Sequence, residues 1–265
     1  MIRFGCCIGT SLERIALLRE AGFDYAEVEI KNIVKLSDDD FAVYLQKAQD
    51  IGLPIESGYM YLADGMFVNR LQADNDALRR YCEKAAERCH ALGIQTIVYG
   101  SGASRRIPEG LTPAQVFEDI AAFLRDIAAP SVAPYGIPIA IEPLEKRGGD
   151  MIHTVSEAKQ LSDAVGNPLV RCLADLYHMY KEDDPMSAIT DCGDKLLHAH
   201  VAEPVGRVYP RRDDGFDLTP FLRALLQAGC PRVSVEAETP EDDRFLDAAK
   251  EALATLREAA QRAMQ

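Results

Sequence analysis

Four short apolar segments in the second half of the chain each carry an ionisable residue at or near their end. The four residues are Glu142, Asp175, His200 and Glu236. Three carboxylates and one imidazole, with no thiolate, suit Mn²⁺, Mg²⁺ or Co²⁺ with open coordination positions better than they suit structural zinc. We therefore predict that the chain binds one divalent metal ion, with Mn²⁺ as the first choice, if the fold brings these segments together.

The direction of each candidate side chain follows from the alternation along a strand. Successive residues point to opposite faces, and the apolar face of a barrel strand should meet the surrounding helices. This rule predicts that the inward residues are Ala140, Glu142, Leu173, Asp175, His198, His200, Ser234, Glu236 and Glu238. It predicts that the outward residues are Ile139, Ile141, Cys172, Ala174, Leu197, Ala199, Val201, Val233 and Val235. Because isolated buried charges are costly, a cation is expected among the inward carboxylates.

Two of the inward positions have a second interpretation. Glu238 faces the same way as Glu236, but it directly precedes Thr239-Pro240, a helix start, and could serve only that loop. We take Glu236 as the ligand and keep Glu238 as its alternative. His198 lies one inward step deeper than His200, and we expect it to be packed or to support a ligand.

The rest of the sequence supplies elements that would position these residues. Strand-like segments at 2–8, 25–30, 54–59, 94–99, 137–142, 169–175, 195–201 and 232–238 alternate with helical patterns. Helix starts are marked by Thr10-x-x-Glu13, Thr112-Pro113, Thr154-x-x-Glu157, Asp184-Pro185, Thr219-Pro220 and Thr239-Pro240. Unbroken alternation implies a parallel sheet, and eight units in 265 residues favour one closed (β/α)₈ TIM barrel, a single domain over 1–265, rather than an open doubly wound sheet. The candidates then lie at the C-terminal strand ends, where barrel enzymes carry their chemistry.

Composition argues against several classes of partner. The formal net charge of −13 is unfavourable for nucleic acid, whose phosphates require clustered Lys and Arg. No signal-peptide pattern and no apolar stretch near the ~20 residues of a membrane span occur, so we expect neither export nor a membrane. The seven cysteines show no C-x-x-C spacing and fit reduced thiols in a cytoplasmic protein.

Several of these segments resemble the motifs of one known family. They are Ile141-Glu142-Pro143-Leu144, Asp175-Leu176-Tyr177-His178-Met179, His198-Ala199-His200-Val201-Ala202-Glu203 and, more weakly, Ser234-Val235-Glu236. Over essentially its whole length the chain resembles the xylose-isomerase-like TIM barrels, the superfamily of sugar phosphate isomerases/epimerases and ketose 3-epimerases.

The resemblance implies roles for individual residues. The four candidates above would be the metal ligands, and Glu142 and Glu236 would also exchange the substrate proton. His178, Glu203 and Arg207 would contact substrate oxygens. The implied reaction is metal-stabilised enediolate formation, followed by return of the proton to the same carbon from the other side or to its neighbour. A sugar or sugar phosphate isomerase or epimerase is therefore the expected function.

The sequence also departs from the family pattern. Ketose 3-epimerases of this kind carry a further glutamate six residues after the strand-five ligand, where this chain has Gly148, and Glu145 is the candidate to replace it. The arginine is offset by one residue. The Gly100-Ser101-Gly102 loop with Arg105 and Arg106 is similar to the family and is expected to bind an anionic group of the substrate.

Three alternative functions share the barrel. A dehydratase acting on a keto-inositol or similar polyol would form the same enediolate and expel a hydroxyl. An abasic-site DNA endonuclease would need a richer ligand cluster and a basic groove, which five histidines and the acidic charge disfavour. A non-catalytic sugar-binding barrel would be expected to have lost some of the four ligands. The expected partner is a small sugar or sugar phosphate, and the oligomeric state is left open, a homo-oligomer included.

Overall fold

Eight parallel strands form a closed barrel. The computed structural model describes residues 2–213 and 215–265. The strands are β1 (Arg3–Cys7), β2 (Tyr25–Glu29), β3 (Ile55–Tyr59), β4 (Thr96–Tyr99), β5 (Ile139–Ile141), β6 (Val170–Asp175), β7 (Leu196–Val201) and β8 (Arg232–Val235). They follow chain order around the barrel, and β8 pairs with β1 to close it. The predicted (β/α)₈ barrel is confirmed, and the open doubly wound sheet is wrong.

Helices follow the strands and surround the barrel. They are α1 (Leu12–Ala21), α2 (Ile30–Lys35), α3 (Asp38–Ile51), α4 (Asn75–Leu92), α5 (Pro113–Phe123), α6 (Ala129–Val132), α7 (Val155–Val165), α8 (Leu176–Lys181), α9 (Met186–Cys192), α10 (Thr219–Ala228) and α11 (Asp242–Ala263). The main apolar core lies between these helices and the strands. In the described part of the chain, none of the helices combines the length and the apolar character that crossing a bilayer requires.

The helical path from Pro113 to Tyr135 contains a wider turn in its middle. A π-helical turn, Leu124–Ala128, joins α5 to α6. Pro130 follows this turn and has no N–H to donate into the helix, which frees a carbonyl one turn earlier. The carbonyl of Asp126 accepts a hydrogen bond from Arg79 instead.

Helix starts agree with the capping signals at some positions and not at others. Thr154 and Glu157 form the predicted capping box, and Thr112 forms one with Gln115. The box predicted at Thr10 is wrong, because α1 begins at Leu12 and Ser11 accepts the capping bond from the backbone N of Arg14. The last helix begins at Asp242, behind Glu241, and not at the Thr239-Pro240 step.

One predicted side-chain direction is also wrong. Leu197 lies inside the barrel with Val98, Ala140 and Leu173, whereas it was expected to face the helices. The reason is a register shift in the β6–β7 pairing, where Leu196 is paired with Cys172 but His198 with Leu173. A bulge of this kind resets the alternation of the strand. From His198 onward the expected directions hold, and His200 points inward.

Candidate active site

The C-terminal end of the barrel gathers the four predicted metal ligands. Ligand atoms of Glu142, Asp175, His200 and Glu236 all lie within 4.8 Å of one another. His200 Nδ1 is 3.1 Å from Glu142 Oε1, 3.3 Å from Glu236 Oε2 and 3.9 Å from Asp175 Oδ2. Asp175 and His200 lie on β6 and β7, and Glu142 and Glu236 directly follow β5 and β8. The cluster is therefore a product of the closed sheet and not of one local motif.

The environment of Asp175 fits a cation at the centre of this cluster. Its Oδ1 accepts from the backbone N of Tyr177 at 2.7 Å and of His178 at 3.2 Å, and so caps the start of α8. Its Oδ2 is buried and has no hydrogen-bond partner among the described residues. An unpartnered carboxylate oxygen among other carboxylates is costly unless a cation neutralises it. Three oxygen donors and one nitrogen donor therefore form a group that could hold a divalent ion, and their role as ligands stays a prediction.

The structure distinguishes the two strand-eight glutamates by position. Glu236 belongs to the cluster, with 18% of its side chain exposed. Glu238 is exposed, and its backbone N donates to the carbonyl of Arg207 at 2.7 Å. This placement favours Glu236 as the ligand and leaves Glu238 in the loop that follows β8.

Glu27 is a buried carboxylate behind the cluster that the sequence analysis missed. It accepts from His200 Nε2 at 3.1 Å, from His198 Nε2 at 2.8 Å and from the Ser234 hydroxyl at 2.5 Å. The bond to His200 Nε2 leaves Nδ1 directed at the other three carboxylates, as in a carboxylate–histidine–metal arrangement. The signal for it in the sequence is the alternation Tyr25, Glu27, Glu29 on β2, which places a second carboxylate on the same face of the strand.

The histidine pair has two different protonation preferences. Burial lowers the pKa of His198, which is fully buried and packs behind the cluster as expected. Burial also opposes the charge of His200, but Glu27 and Glu236 outweigh it and raise the pKa of His200 well above its ordinary value. Glu27 remains ionised, because the two imidazoles overcome its burial and lower its pKa. The carboxylates around His200 thus create a negative potential at its ring, which favours the positively charged form of the imidazole.

The pKa values of the two glutamates on either side of His200 are shifted in opposite directions. Burial, together with the charge of Glu236, raises the pKa of Glu142. Burial acts on Glu236 in the same direction, but His200 and Arg207 outweigh it and lower the pKa of Glu236 to about 2. Pairs of carboxyl groups with opposed environments are typical of acid and base partners.

Two of the predicted substrate contacts lie beside the cluster. His178 Nδ1 accepts from the backbone N of Glu145 at 3.1 Å, so the neutral ring carries its proton on Nε2. That Nε2 lies 4.0 Å from Asp175 Oδ2, at the edge of the cluster. Arg207 Nη2 donates to Glu236 Oε2 at 2.7 Å, so both side chains are positioned to meet a ligand of the cluster.

Two other residues that were predicted to contact the substrate form hydrogen bonds with main-chain groups instead. The Glu203 carboxylate is buried and accepts from the backbone N of Arg211 at 3.0 Å and of Phe216 at 2.8 Å, which holds the loop after β7. Arg105 is fully buried and donates to the carbonyls of Glu142 at 3.0 Å and Gly100 at 3.1 Å. Neither placement supports a direct substrate contact, because each charged group is already bonded to main-chain atoms.

The anion site expected on the loop after β4 is not assembled. Arg106 pairs with Asp150 at 2.7 Å, and the Ser101 hydroxyl accepts from the backbone N of Leu62. Gly100 has a different function, since a Cβ there would lie 1.7 Å from Glu142 Oε2. The glycine therefore makes room for the Glu142 carboxylate.

Gly148, which stands where the family has a glutamate, lies in a turn that also contains Glu145. The backbone N of Gly148 donates to the Glu145 carbonyl at 2.7 Å. The Glu145 carboxylate accepts from the Tyr177 hydroxyl at 3.2 Å, so it points to the mouth of the barrel. Its replacement of the family glutamate stays a prediction.

A protein-family model matches most of the chain. The model described as xylose isomerase-like TIM barrel matches residues 15–259. A D-psicose 3-epimerase from Agrobacterium fabrum is 26% identical over 216 residues, 76% of this chain and 69% of the relative. A 3-dehydro-D-guloside 4-epimerase from Escherichia coli is 26% identical over 207 residues, 72% of this chain and 74% of the relative.

Solved structures show the same architecture at lower identity. A D-psicose 3-epimerase from Clostridium cellulolyticum H10, solved with D-tagatose, superposes with a TM-score of 0.85 at 17% identity, covering 98% of this chain and 99% of the other. An L-ribulose 3-epimerase gives a TM-score of 0.82 at 19% identity, covering 100% and 96%. These likenesses support the fold.

Proposed function

The chain belongs to the xylose isomerase-like TIM barrel family, and from that premise we propose that it is a divalent-metal-dependent sugar epimerase. The observation that carries the proposal is the pair of glutamates, Glu142 and Glu236, that approach the same imidazole nitrogen from β5 and β8. Two carboxylates on two sides of one small site can remove a proton from one side of a carbon and return it from the other. The names of the relatives support the same reaction class, since they are epimerases of sugars.

The proposed metal site consists of Glu142, Asp175, His200 and Glu236, with Mn²⁺ as the first choice and Mg²⁺ or Co²⁺ as alternatives. A divalent ion bound there would act as a Lewis acid on the substrate oxygens and stabilise the charge that develops when a carbon proton leaves. Glu27 keeps the His200 ring fixed, because it accepts the Nε2 proton and leaves Nδ1 free to coordinate.

The chain's own groups perform the proton transfer in this proposal. One of the two carboxylates, Glu142 or Glu236, removes the carbon proton on its side of the substrate, and the other delivers a proton to the same carbon from the opposite side. Which of them acts as the base depends on which epimer is bound. Arg207 contacts Glu236 and so holds this carboxylate in one orientation.

His178 would orient the substrate. Its ring is fixed by the backbone N of Glu145, and the tautomer that results presents an Nε2–H donor at the edge of the cluster. Such a donor suits a carbonyl or hydroxyl oxygen. We therefore propose that His178 and Arg207 contact substrate oxygens, whereas Glu203 and Arg105 maintain the loops around them.

The substrate is proposed to be a free keto sugar and not its phosphate. Arg105 and Arg106, which the sequence suggested as an anion site, donate to carbonyl groups and to Asp150. The relatives named for D-psicose and 3-dehydro-D-guloside support a ketose or a keto sugar derivative.

Deuterium uptake from D₂O tests the proposal directly. Protein reconstituted with Mn²⁺ is incubated with a panel of ketoses, keto-glycosides and their phosphates, and the products are examined by NMR. We expect deuterium at a carbon next to the carbonyl of at least one free sugar, loss of uptake on exhaustive chelation, and recovery with Mn²⁺, Co²⁺ or Mg²⁺. Loss of water from a polyol without epimerisation would favour the dehydratase alternative. No exchange with any member of the panel would contradict the proposal.

A further inference from the structure

Tyr177 connects three parts of the site that the proposed reaction does not otherwise join. It lies in the first turn of α8, two residues after Asp175, and it is half-buried. Its hydroxyl donates to Glu145 Oε1 at 3.2 Å in the loop after β5. Its ring meets the His178 ring edge to face, with 5.2 Å between centroids.

The same ring lies under the guanidinium of Arg207. The guanidinium carbon is 4.9 Å from the centre of the Tyr177 ring, and Nη2 donates to Glu236 Oε2 at 2.7 Å. Arg207 has a φ of +49°, a conformation that non-glycine residues rarely adopt, and its carbonyl accepts from the backbone N of Glu238. The stack on Tyr177 and the hydrogen bond to Glu236 together hold one orientation of the guanidinium.

One buried donor of this guanidinium has no protein partner among the described residues. Arg207 Nε is buried and has no hydrogen bond among the described residues. Stacking on Tyr177 fixes the plane of the group, and therefore the direction of this donor as well as of Nη2. A donor held in place beside Glu236 suits a substrate oxygen.

We propose that Tyr177 is a positioning residue that clamps Arg207 against Glu236 and so orients both the strand-eight carboxylate and the donor for the substrate. The inference rests on the proposed function for its effect on turnover, and on contacts alone for its effect on Arg207. The hydroxyl extends the clamp to Glu145, so the loops after β5 and β7 are joined across the mouth.

An arginine stacked on a tyrosine also lies beside the other glutamate of the site, but it contacts the main chain of Glu142 and not its carboxylate. Arg105 lies over the ring of Tyr99, at 5.2 Å from its centre, and donates to the carbonyl of Glu142. Both glutamates are thus contacted by an arginine that stacks on a tyrosine. The Tyr99 pair is fully buried, whereas the Tyr177 pair borders the mouth and can act on a substrate.

Three variants separate the clamp from general packing. Tyr177→Leu removes the ring and the hydroxyl, and Tyr177→Phe removes only the hydroxyl. Tyr180→Leu is the matched control, one turn further along α8, because its ring pairs with Phe216 and is 48% exposed. We expect kcat/KM to fall about 10-fold in Tyr177→Leu, to fall less than about 3-fold in Tyr177→Phe, and to change less than about 2-fold in Tyr180→Leu.

An activity-independent measurement tests the clamp itself. Phenylglyoxal labelling of Arg207, followed by peptide mass spectrometry, should be several-fold faster in Tyr177→Leu than in wild type, Tyr177→Phe or Tyr180→Leu. Mn²⁺ affinity, measured by calorimetry, should stay within about 2-fold of wild type in Tyr177→Phe and Tyr180→Leu, and should fall in Tyr177→Leu, because the clamp orients the proposed ligand Glu236. If Tyr177→Leu does not fold, Tyr177→Gln is judged by the same labelling criterion.

The outcomes are separable. Equal labelling of Arg207 in wild type and Tyr177→Leu would overturn the clamp, whatever the activities. Faster labelling with unchanged kcat/KM would overturn the positioning role. If wild type exchanges no sugar proton, the proposed function fails, and faster labelling would still support the contact between Tyr177 and Arg207.

Discussion

Buried carboxylates occur at both ends of the barrel, but their partners differ. At the N-terminal end, Glu56 accepts from Arg3 at 2.6 and 3.2 Å and from Arg232 at 2.8 Å. At the C-terminal end, Glu142, Asp175 and Glu236 share one imidazole, and one guanidinium contacts only Glu236. One end has two cationic groups for a single carboxylate, and the other has three carboxylates around one nitrogen.

The difference indicates what each end does. A buried carboxylate with its lone pairs satisfied by guanidinium groups needs no further partner and contributes to the fold. A cluster with excess negative charge and an unpartnered oxygen, such as Asp175 Oδ2, is stabilised by an external cation. Substitutions at the C-terminal end should therefore change chemistry with little effect on folding, and substitutions at the N-terminal end should do the reverse.

The largest effect is expected for Glu236→Gln. The amide keeps the volume of the side chain but cannot take a proton and is a weaker metal ligand. Turnover, measured as deuterium uptake, should fall at least ~10²-fold, whereas the metal-free protein should unfold at nearly the same denaturant concentration. Glu238→Gln is the control, since this exposed residue faces the following loop, and its uptake should change less than ~2-fold. If Glu238→Gln is the inactive variant, the strand-eight assignment is off by one inward step.

A smaller effect is expected for Glu27→Gln, behind the cluster. Glu27 accepts three hydrogen bonds, and an amide could accept from one side only while presenting N–H groups to the other donors. The affinity for Mn²⁺ should fall about 10- to 100-fold in calorimetry, because His200 loses the partner that orients it.

Glu29→Gln is the matched control for this substitution. Glu29 is two residues further along β2, and its carboxylate contacts Asn32 and Lys31. Its variant should bind Mn²⁺ within about 3-fold of wild type, because no proposed ligand is involved. Equal affinities of wild type and Glu27→Gln would show that His200 is oriented by packing and not by this carboxylate.

Much of the C-terminal end could be predicted from the sequence. The period of two along a strand, combined with the rule that chemistry lies at the carboxyl ends of barrel strands, pointed to Glu142, Asp175 and His200. On the last strand these rules left Glu236 and Glu238 open, and the family pattern and the helix start after Glu238 favoured Glu236. The eight βα units predicted the closed barrel, which places these strand ends next to one another. Local patterns were informative here because the position of a residue along its strand determines how far along the barrel axis its side chain lies.

Other features depend on contacts that no local pattern contains. Leu197 faces inward because a bulge shifts the register, and a bulge leaves no signal in an apolar segment. Glu203 was expected at the substrate from the family resemblance, and Arg105 as part of a loop that could bind an anionic group. Their partners are main-chain groups that become available only after the loops fold.

The smallest effect on chemistry is expected at the N-terminal end, and Glu56→Gln tests it. An amide at this position would still accept from one guanidinium but would leave the charge of Arg232, whose side chain is 14% exposed, without a counter-ion. The side chain of Arg3 is 44% exposed and can recover its hydration, so the cost should be below that of a fully buried pair. We expect the free energy of unfolding of the metal-free protein to fall by about 1–3 kcal/mol in urea titrations.

Deuterium uptake and Mn²⁺ affinity per folded molecule should both stay within about 2-fold in Glu56→Gln, because the site lies at the opposite end of the barrel. Glu258→Gln removes the partner of Arg212 in an exposed pair and serves as the control for loss of a surface charge, with an expected change below about 0.5 kcal/mol. Metal-free protein is required because a bound ion would add its own binding free energy to the stability of every variant. If Glu56→Gln reduced uptake without reducing stability, the charge at the N-terminal end would be coupled to the chemistry. The contrast between an N-terminal end whose charges are paired for stability and a C-terminal end whose excess negative charge serves the chemistry would then be wrong.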